Sequence, residues 1–277
     1  MSTSANYKGR IYDNYYKTHI LPRTGAITLQ QLNRELKIFD HQFGVLLPAD
    51  RDARILDAGC GYGNVVYWLQ QRGYTQCHGI DGSPDHIAAG QALGIANLEI
   101  GDLVSHLAAR AGTFDLIIMR DVLEHFAKPE VLETLELCFN ALKPGGRLIL
   151  QMPNGASPLV GRILYGDFTH ETAYTETSLS QLFSVIGFVN HAFKPYLRYT
   201  QLSWRSPFSS SGRLALAKWA VWTAAKTLYD LLLFAEIGPH KTITTYNLIA
   251  SAARPNVQSI ASRRDLSSRE GVAPLTL

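Results

Sequence analysis

The 277-residue sequence has few cysteines and prolines and no long uncharged apolar run. Its three cysteines, Cys60, Cys77 and Cys138, are odd in number and lack Cys-x-x-Cys or Cys/His ligand spacing. This argues against a disulfide framework. The opening residues, MSTSANYKGRIYDNYYK, contain no apolar stretch of the kind that a signal peptide needs. We therefore expect a protein of the reducing cytosol.

Membrane-spanning and nucleic-acid-binding classes are also disfavoured. The most apolar segment, Leu214 to Ile237, is interrupted by charged residues and is therefore not predicted to span a membrane. The formal net charge is only +3, far from the concentrated basic surface that binds a phosphate backbone, so no nucleic-acid partner is predicted. With 46% hydrophobic and 18% charged residues, the composition predicts a globular protein with a sizeable core.

Short β-branched runs that end in Gly or Asp alternate with helical stretches from residue 53 onward. This alternation predicts repeated βαβ units and a mainly parallel sheet. A change of pattern after residue 152 predicts a loop, a helix, and two final strands separated by about 40 residues, longer than an ordinary connection. The predicted strands cover 53–58, 77–81, 97–100, 114–119, 146–152, 188–199 and 243–252, and the predicted flanking helices cover 27–43 and 176–186.

A glycine-rich turn follows the first predicted strand, in the segment ILDAGCGYGN (55–64). Gly59, Gly61 and Gly63 have GxGxG spacing instead of the GxGxxG of dinucleotide binders, and Asp57 precedes them. A carboxylate there would repel a pyrophosphate, but it suits a ligand that carries an ammonium group and a positive sulfur. Asp81 ends the second strand, where an acid can accept hydrogen bonds from both ribose hydroxyls of an adenosyl group.

Between Ile55 and Phe188 the sequence resembles the class I S-adenosylmethionine-dependent methyltransferases. The glycine turn looks like the first motif of that family, Asp81 looks like its ribose-binding acid, and Gly101-Asp102 looks like the pair that meets the adenine. FDLIIMRDVLEH and LKPGGRLIL look like its fourth and fifth strands. The resemblance implies that S-adenosyl-L-methionine is held by Asp57, Gly59, Gly61, Gly63, Asp81, Gly82, Asp102, Leu103 and Arg120.

The resemblance also implies the fold class, an α/β doubly wound, seven-stranded, mainly parallel, Rossmann-like sheet with a helical insertion between its last two strands. Two alternatives stay open at the site, because the glycines could form a tight turn without a ligand and Asp102 could be a helix N-cap. The expected organisation is a helical cap (1–50), a cofactor-binding core (51–199), an apolar insertion (200–241), a last strand (242–253) and a disordered tail (254–277).

The fourth strand lacks the Asp/Asn-Pro-Pro-aromatic motif of enzymes that methylate nucleic-acid bases. The stretch from Asp121 to His125 is instead similar to that of small-molecule methyltransferases of quinones and of envelope sugars. His125 is one candidate base, with a pocket-lining role as the alternative. His170 is the preferred candidate, because Asp167-Phe-Thr-His170 is similar to a stretch in methyltransferases of glycan clusters; a solvated loop histidine is the alternative.

A metal-dependent variant using Asp121, Asp167 and His170 stays open, but no spacing demands a metal and none is predicted. The N-terminal run 7–19 is rich in tyrosines and basic residues. Tyr12 and Tyr16 are predicted to stack on the acceptor, with Arg10 near a phosphate, unless these tyrosines only pack a helical cap on the core.

Winding Leu214 to Ile237 as a helix gathers its four charged residues within about 120° and leaves a broad apolar face. Such a helix, with Trp204 and Arg205 before it, fits a membrane interface. Burial of the same face against the sheet or in a homodimer is the alternative. The predicted function is methyl transfer to a hydroxyl of a small or lipid-linked acceptor, a sugar of a cell-envelope glycan, at the cytosolic membrane face. The alternatives are a quinone O- or C-methyltransferase and a non-catalytic binding protein.

Overall fold

The structure is a computed structural model that describes residues 7–12, 14–196, 210–239 and 242–256. Within these residues, seven strands form one sheet in the order β3-β2-β1-β4-β5-β7-β6. The strands are β1 (Ile55–Ala58), β2 (Cys77–Asp81), β3 (Leu98–Ile100), β4 (Phe114–Arg120), β5 (Leu142–Pro153), β6 (Val189–Pro195) and β7 (Asn247–Ala253).

Helices precede the sheet and connect its strands. A π-helical turn at Tyr16–Ile20 joins the first two helices. The helices are α1 (Tyr7–Tyr12), α2 (Leu21–Thr24), α3 (Leu29–Phe43), α4 (Asn64–Gln71), α5 (Pro84–Ala92), α6 (Leu103–Ala108), α7 (Lys128–Ala141), α8 (Val160–Leu164), α9 (Glu176–Ile186) and α10 (Ser210–Ile237).

The pairing of the strands confirms the predicted fold class. Strands β1 to β5 pair in parallel, whereas β7 runs antiparallel to both of its neighbours, β5 and β6. Successive apolar residues of a strand point to opposite faces, so each central strand supplies two cores. Leu56, Ile117 and Leu148 pack in one core, and Ile55, Leu116 and Ile149 pack in the other.

Two predicted strand boundaries are wrong for identifiable reasons. Strand β5 begins at Leu142 because the predicted turn Pro144-Gly145-Gly146 is a bulge within the strand, where the pairing with β4 shifts register. Strand β7 begins at Asn247, later than predicted, because the side-chain amide of Asn154 donates to the carbonyls of Ile243 and Thr245 at 2.7 and 2.8 Å. Those carbonyls are therefore not available for a strand ladder.

Two other predictions fall partly outside the described residues. Strand β6 was expected to reach residue 199 but ends at Pro195, and 197–199 are not described. The expected disordered tail begins too early, because Arg254 is ordered: its guanidinium donates to the carbonyl of Leu142 at 2.6 Å and its backbone NH to that of Gly146. Residues 257–277 of that tail are not described.

Helix α10 lies between β6 and β7 in the chain, as predicted, but no described side chain on it is buried. Leu228, Leu231 and Leu232 are exposed, and the Tyr229 hydroxyl donates to the carbonyl of Ala156 at 3.2 Å. The described side chains of this helix are therefore not buried against the sheet, as one alternative had them. Among the described residues, no helix is long and apolar enough to cross a membrane. Trp204 and Arg205 lie outside them.

Candidate active site

The glycine turn at the end of β1 is shaped by backbone that excludes side chains. Gly59, Gly61 and Gly63 all have positive φ angles, of 76°, 55° and 84°. A Cβ atom on Gly59 would lie 2.4 Å from Val122, and one on Gly63 would lie 2.7 Å from a methyl group of Leu98. Gly61 differs, because a Cβ atom there would meet its nearest neighbouring atom, Nδ1 of His86, at 3.9 Å, an ordinary van der Waals distance, so the turn is not crowded at its middle glycine.

Asp57 lies at the base of this turn with only 1% of its surface exposed. Its Oδ2 has no hydrogen-bond partner among the described residues. Burial raises the pKa of Asp57 to about 7, against the opposing charge of Arg120 and with a further increase from Asp81. A buried carboxylate oxygen without a donor is a strong site for a cationic ligand group, such as an amino acid ammonium.

Asp81 ends β2 beside the middle of the turn. It accepts hydrogen bonds from the backbone NH groups of Gly61 at 2.8 Å and Ser83 at 2.9 Å. The Asp81 carboxylate is thereby held beside Gly61, the middle glycine of the turn. A Cβ on Gly82 would meet its nearest neighbour, the carbonyl oxygen of Gly101, at 4.0 Å, so the backbone there is not crowded either. Asp57, Asp81 and the glycines thus lie together at the ends of β1 and β2, whereas their binding of a cofactor stays a prediction.

The other three predicted cofactor residues lie in different surroundings. Asp102 is the N-cap of α6, where its carboxylate accepts from the backbone NH of Ser105 at 2.8 Å. Leu103 follows it and is half-buried. Arg120, the last residue of β4, donates to Asn64 at 3.1 Å and lies over the ring of Phe39. Arg120 therefore helps to hold the first residue of α4 in place.

On the acceptor side, Asp121 follows β4 in a left-handed conformation, with φ of 55°. The amide of Gln151 donates to both of its oxygens at 3.0 Å, and Asn247 adds a bond of 3.2 Å. Side chains of β5 and β7 thus hold the Asp121 carboxylate at the edge where β4 ends.

His125 and His170 meet near this edge, with ring centroids 4.7 Å apart. The Nδ1 atom of His125 lies 2.8 Å from the Thr169 hydroxyl oxygen, which gives its own proton to Asp167 at 2.7 Å. Nδ1 of His125 is therefore the donor. Nδ1 of His170 lies 3.0 Å from the carbonyl of Ile163 and donates to it. In the neutral rings, both Nε2 atoms then carry free electron pairs.

Asp167 organises the hydrogen bonds around these histidines. It accepts from the Tyr15 hydroxyl at 2.5 Å and from the Thr169 hydroxyl, and His19 lies 3.4 Å away. Burial alone would raise the pKa of Asp167, but the bonds from Tyr15 and Thr169 outweigh it and lower the pKa to about 2. Asp167 is therefore a fixed negative charge near neutral pH.

Glu124 completes the group, although the sequence pattern did not single it out as a site residue. It is 1% exposed, and its Oε2 lacks a hydrogen-bond partner within the described part of the chain. Burial, followed by the charge of Asp121, raises the pKa of Glu124 well above its usual value. Burial and His170 lower the pKa of His125 to about 4. Glu124, His125 and His170 bring one oxygen and two ring nitrogens within 4.8 Å of one another, and these could hold a metal ion.

The N-terminal helices cover this group. The ring of Tyr12 lies edge-on to His125 at 6.1 Å, and Tyr16 lies edge-on to His86 at 5.6 Å. Lys8 donates to the carbonyl of His125 at 2.7 Å. Arg10, predicted to meet a phosphate, is exposed. Tyr12 thus lies beside His125 and Tyr16 beside His86, whereas their role toward an acceptor stays a prediction.

Comparison with known proteins agrees with this geometry. The chain belongs to the family defined by the methyltransferase domain, whose model matches residues 30–192, more than half of the chain. Of solved structures, it is similar to an S-adenosylmethionine-dependent methyltransferase of Archaeoglobus fulgidus at 17% identity and a TM-score of 0.58, over 79% of this chain and 94% of that one. Phosphoethanolamine N-methyltransferase 2 of Haemonchus contortus matches at 18% identity and a TM-score of 0.56, over 88% and 61%. These likenesses show the class I methyltransferase fold.

The curated relatives differ in what their names say they modify. A tRNA U34 carboxymethyltransferase of Desulfotalea psychrophila is 34% identical over 110 residues, which are 38% of this chain and 34% of that protein. A ubiquinone biosynthesis O-methyltransferase of Xanthomonas axonopodis pv. citri is 32% identical over 37% and 44%. A trans-aconitate 2-methyltransferase of Streptomyces avermitilis is 34% identical over 39% and 41%. The chain spans less than half the length of these relatives.

Proposed function

We propose that the protein transfers a methyl group from S-adenosylmethionine to a hydroxyl oxygen of a lipid-linked acceptor, a sugar of a cell-envelope glycan. The buried Asp57 carboxylate, whose Oδ2 has no partner among the described residues and which lies beside a glycine turn that is uncrowded at Gly61, carries this proposal. It matches the ammonium group of the cofactor, and Asp81 at the next strand end matches the ribose hydroxyls. The match to the methyltransferase domain supports the same reading.

Each residue group has a separate task in this reaction. The bound cofactor supplies an activated methyl group on a positively charged sulfur. Asp57, Asp81 and the glycine turn hold and orient it, so that positioning provides much of the rate acceleration. Asp121, His125 and His170 receive the acceptor hydroxyl at the neighbouring strand end and activate its oxygen. Tyr12 and Tyr16 exclude water and offer ring surfaces for stacking on a sugar.

Titration calorimetry and transfer of labelled methyl into cell extracts test the proposal. We expect Asp57→Ala to weaken S-adenosylmethionine binding at least 100-fold, because the ammonium then loses a charge-assisted partner in a buried site. Asp115→Ala is the matched control. Asp115 is also a strand acid, but it lies near the start of β4, at the edge of the sheet away from the glycine turn, so this variant should bind S-adenosylmethionine normally. Equal affinity of wild type and Asp57→Ala would refute the proposed cofactor site.

The exposed apolar surface near the site supports an acceptor carried on a lipid. Leu159, Tyr165 and Phe168 are exposed in the segment that leads to His170. Helix α10 is joined to the same segment through Tyr229 and Ala156, and it exposes apolar side chains along its length. We propose that this surface docks on the cytosolic face of a membrane and brings the site to acceptors held there.

Liposome flotation tests the docking. Leu228→Glu combined with Leu232→Glu should reduce the membrane-bound fraction at least 5-fold, because each charge opposes burial in the lipid interface. Thr227→Glu, at an exposed polar position of the same helix, is the matched control for added charge. If all three proteins float alike, α10 does not dock on lipid; concentration-dependent dimers lost in the double variant would indicate a second copy as its partner instead.

A quinone is the second candidate acceptor. It is favoured by the similarity to proteins named as ubiquinone biosynthesis O-methyltransferases, and it too resides in membranes. Mass spectrometry of the labelled lipid fraction distinguishes the two acceptors, because a methylated sugar is released by mild acid hydrolysis and a methylated quinone ring is not.

A further inference from the structure

Glu124, His125 and His170 form a cluster of potential metal ligands that is contributed by two segments of the chain. Glu124 and His125 lie in the short 3-10 turn after β4, and His170 lies in the loop after α8. A backbone bond of 2.7 Å from Glu171 to the carbonyl of Glu124 joins the two segments. The arrangement thus rests on main-chain pairing, which fixes the distance between the ligands before any ion binds.

The hydrogen bonds of the two imidazoles leave one nitrogen of each for a metal. The Nδ1 atoms of His125 and His170 donate to the Thr169 hydroxyl and to the carbonyl of Ile163. Such a bond at one ring nitrogen is what orients histidine ligands in metal sites, where the other nitrogen coordinates the ion. Asp167, which accepts from the Thr169 hydroxyl, extends this support from His125 to a carboxylate.

The carboxylate of Glu124 supplies the independent observation. The residue is only 1% exposed, and its Oε2 has no hydrogen-bond partner in the described residues. A carboxylate oxygen in such a position lacks the donors that normally compensate the loss of water. A cation bound between Glu124 and the two histidines would provide that compensation.

We propose that Glu124, His125 and His170 bind one divalent transition-metal ion, such as Zn²⁺ or Fe²⁺, at the acceptor side of the site. Two imidazoles and one carboxylate suit these ions better than Mg²⁺, which prefers a full set of oxygen ligands. Metal bonds of about 2.1 Å place ligand atoms roughly 3 to 3.5 Å apart, and the three candidate ligand atoms already lie within 4.8 Å of one another. Three protein ligands leave coordination positions open.

The catalytic role of the ion rests on the proposed function. An acceptor hydroxyl that occupies an open position on the ion has its pKa lowered and presents an alkoxide-like oxygen to the methyl group. The hydroxyl proton leaves to solvent, and the carbon–sulfur bond breaks as the carbon–oxygen bond forms. His125 and His170 then act as ligands instead of proton acceptors.

Binding of the ion alone is the first test. Tag-free protein is freed of metal with a chelator and titrated with Zn²⁺ by calorimetry, and Co²⁺ binding is followed by its visible absorption. We expect one site per chain. Glu124→Gln and His125→Asn should each weaken Zn²⁺ binding at least 100-fold, and Thr169→Val should weaken it 10- to 100-fold through lost support of His125.

His191→Asn is the matched control, because His191 is also half-buried with a ring nitrogen bonded to a backbone carbonyl, that of Phe188. It should bind Zn²⁺ as the wild type does. Near-UV circular dichroism and S-adenosylmethionine affinity identify variants that fail to fold. No single-site binding in the wild type, or Zn²⁺ affinity unchanged in folded Glu124→Gln and His125→Asn, would overturn the proposal.

The cofactor measurements separate the two proposals. If S-adenosylmethionine binds and methyl is transferred at full rate by chelator-treated protein that shows no single-site Zn²⁺ binding, the metal site is refuted and the proposed function stands. If the cofactor does not bind while Zn²⁺ binds at this cluster, the proposed function fails and the metal site stands.

Discussion

At the scale of single residues, ionisation of Asp57 has opposite effects on folding stability and on cofactor binding. It lowers the stability of the unliganded protein and favours binding of the cofactor. Its pKa is about 7 in the folded protein, against an ordinary value near 4 in the unfolded chain. The folded state therefore holds its proton more tightly, and the stability contributed by this residue is present below about pH 4 and is lost as pH rises through 7. Cofactor binding needs the ionised carboxylate, so the affinity for S-adenosylmethionine should increase as pH rises through the same range.

We expect Asp57→Asn to stabilise the unliganded protein at pH 8, by at most about 2 to 4 kcal/mol, because a buried unpaired charge is removed. The gain should shrink toward zero at pH 4. Urea unfolding at both pH values measures it, with S-adenosylmethionine binding followed in parallel. A variant that is equally destabilised at pH 4 and pH 8 would show that Asp57 is not held under electrostatic strain.

Residues at the strand ends could be predicted, whereas residues brought in by other segments could not. Asp57 and Asp81 were predictable because the carboxyl ends of parallel neighbours meet at one edge of the sheet. The hydrogen bond from Tyr15 to Asp167 joins residues 152 positions apart, and no local pattern encodes it. Glu124 had a signal that was undervalued, a carboxylate beside a histidine directly after a central strand.

At the scale of elements, Asp102 illustrates a residue whose helix role competes with a predicted cofactor role. Its carboxylate accepts from the backbone NH and the hydroxyl of Ser105 in the first turn of α6, and these bonds lower its pKa. We expect Asp102→Ala to cost about 1 kcal/mol of unfolding free energy, as the loss of an N-cap does. Urea denaturation measures this, and Asp102→Asn, which retains a capping oxygen, is the control.

Calorimetry of the same variants tests the other role. A loss of S-adenosylmethionine affinity in Asp102→Ala that exceeds its loss of stability would assign the residue to the cofactor after all.

The elements themselves were predicted to different degrees. Helix α9 occupies the predicted residues, because Thr175 caps its start and Gly187, with φ of 102°, ends it. Strand β7 was predicted too early, since its start depends on the Asn154 side chain from a distant loop. Local signals therefore define helix ends here, and long-range bonds define the strand ends.

At the scale of the whole molecule, the three cysteines report on opening of the fold. Cys60, Cys77 and Cys138 are buried and free, and burial raises the thiol pKa of Cys77 to about 11 and of Cys138 to about 12. Each lies in a different part of the structure, at the glycine turn, in β2 and in α7. Their reactivity thus samples local and global unfolding separately.

We expect a disulfide reagent to label the native protein slowly, at rates set by opening, because neither the thiols nor their thiolates are exposed. S-adenosylmethionine should slow the labelling of Cys60 more than that of Cys138, since only Cys60 belongs to the cofactor turn. Mass spectrometry of each site over time measures this. Full labelling of all three within seconds in native buffer would contradict a closed core.

The position of β7 has a consequence for how the chain is made. This strand pairs with both β5 and β6, although it follows both in the sequence and is separated from β6 by α10. During synthesis, β5 and β6 therefore emerge with unpaired edges that only Asn247–Ala253 can fill. An exposed apolar helix and two open strand edges coexist until that late strand is translated. The nascent chain is thus open to aggregation through these edges until β7 inserts between two strands that were made before it.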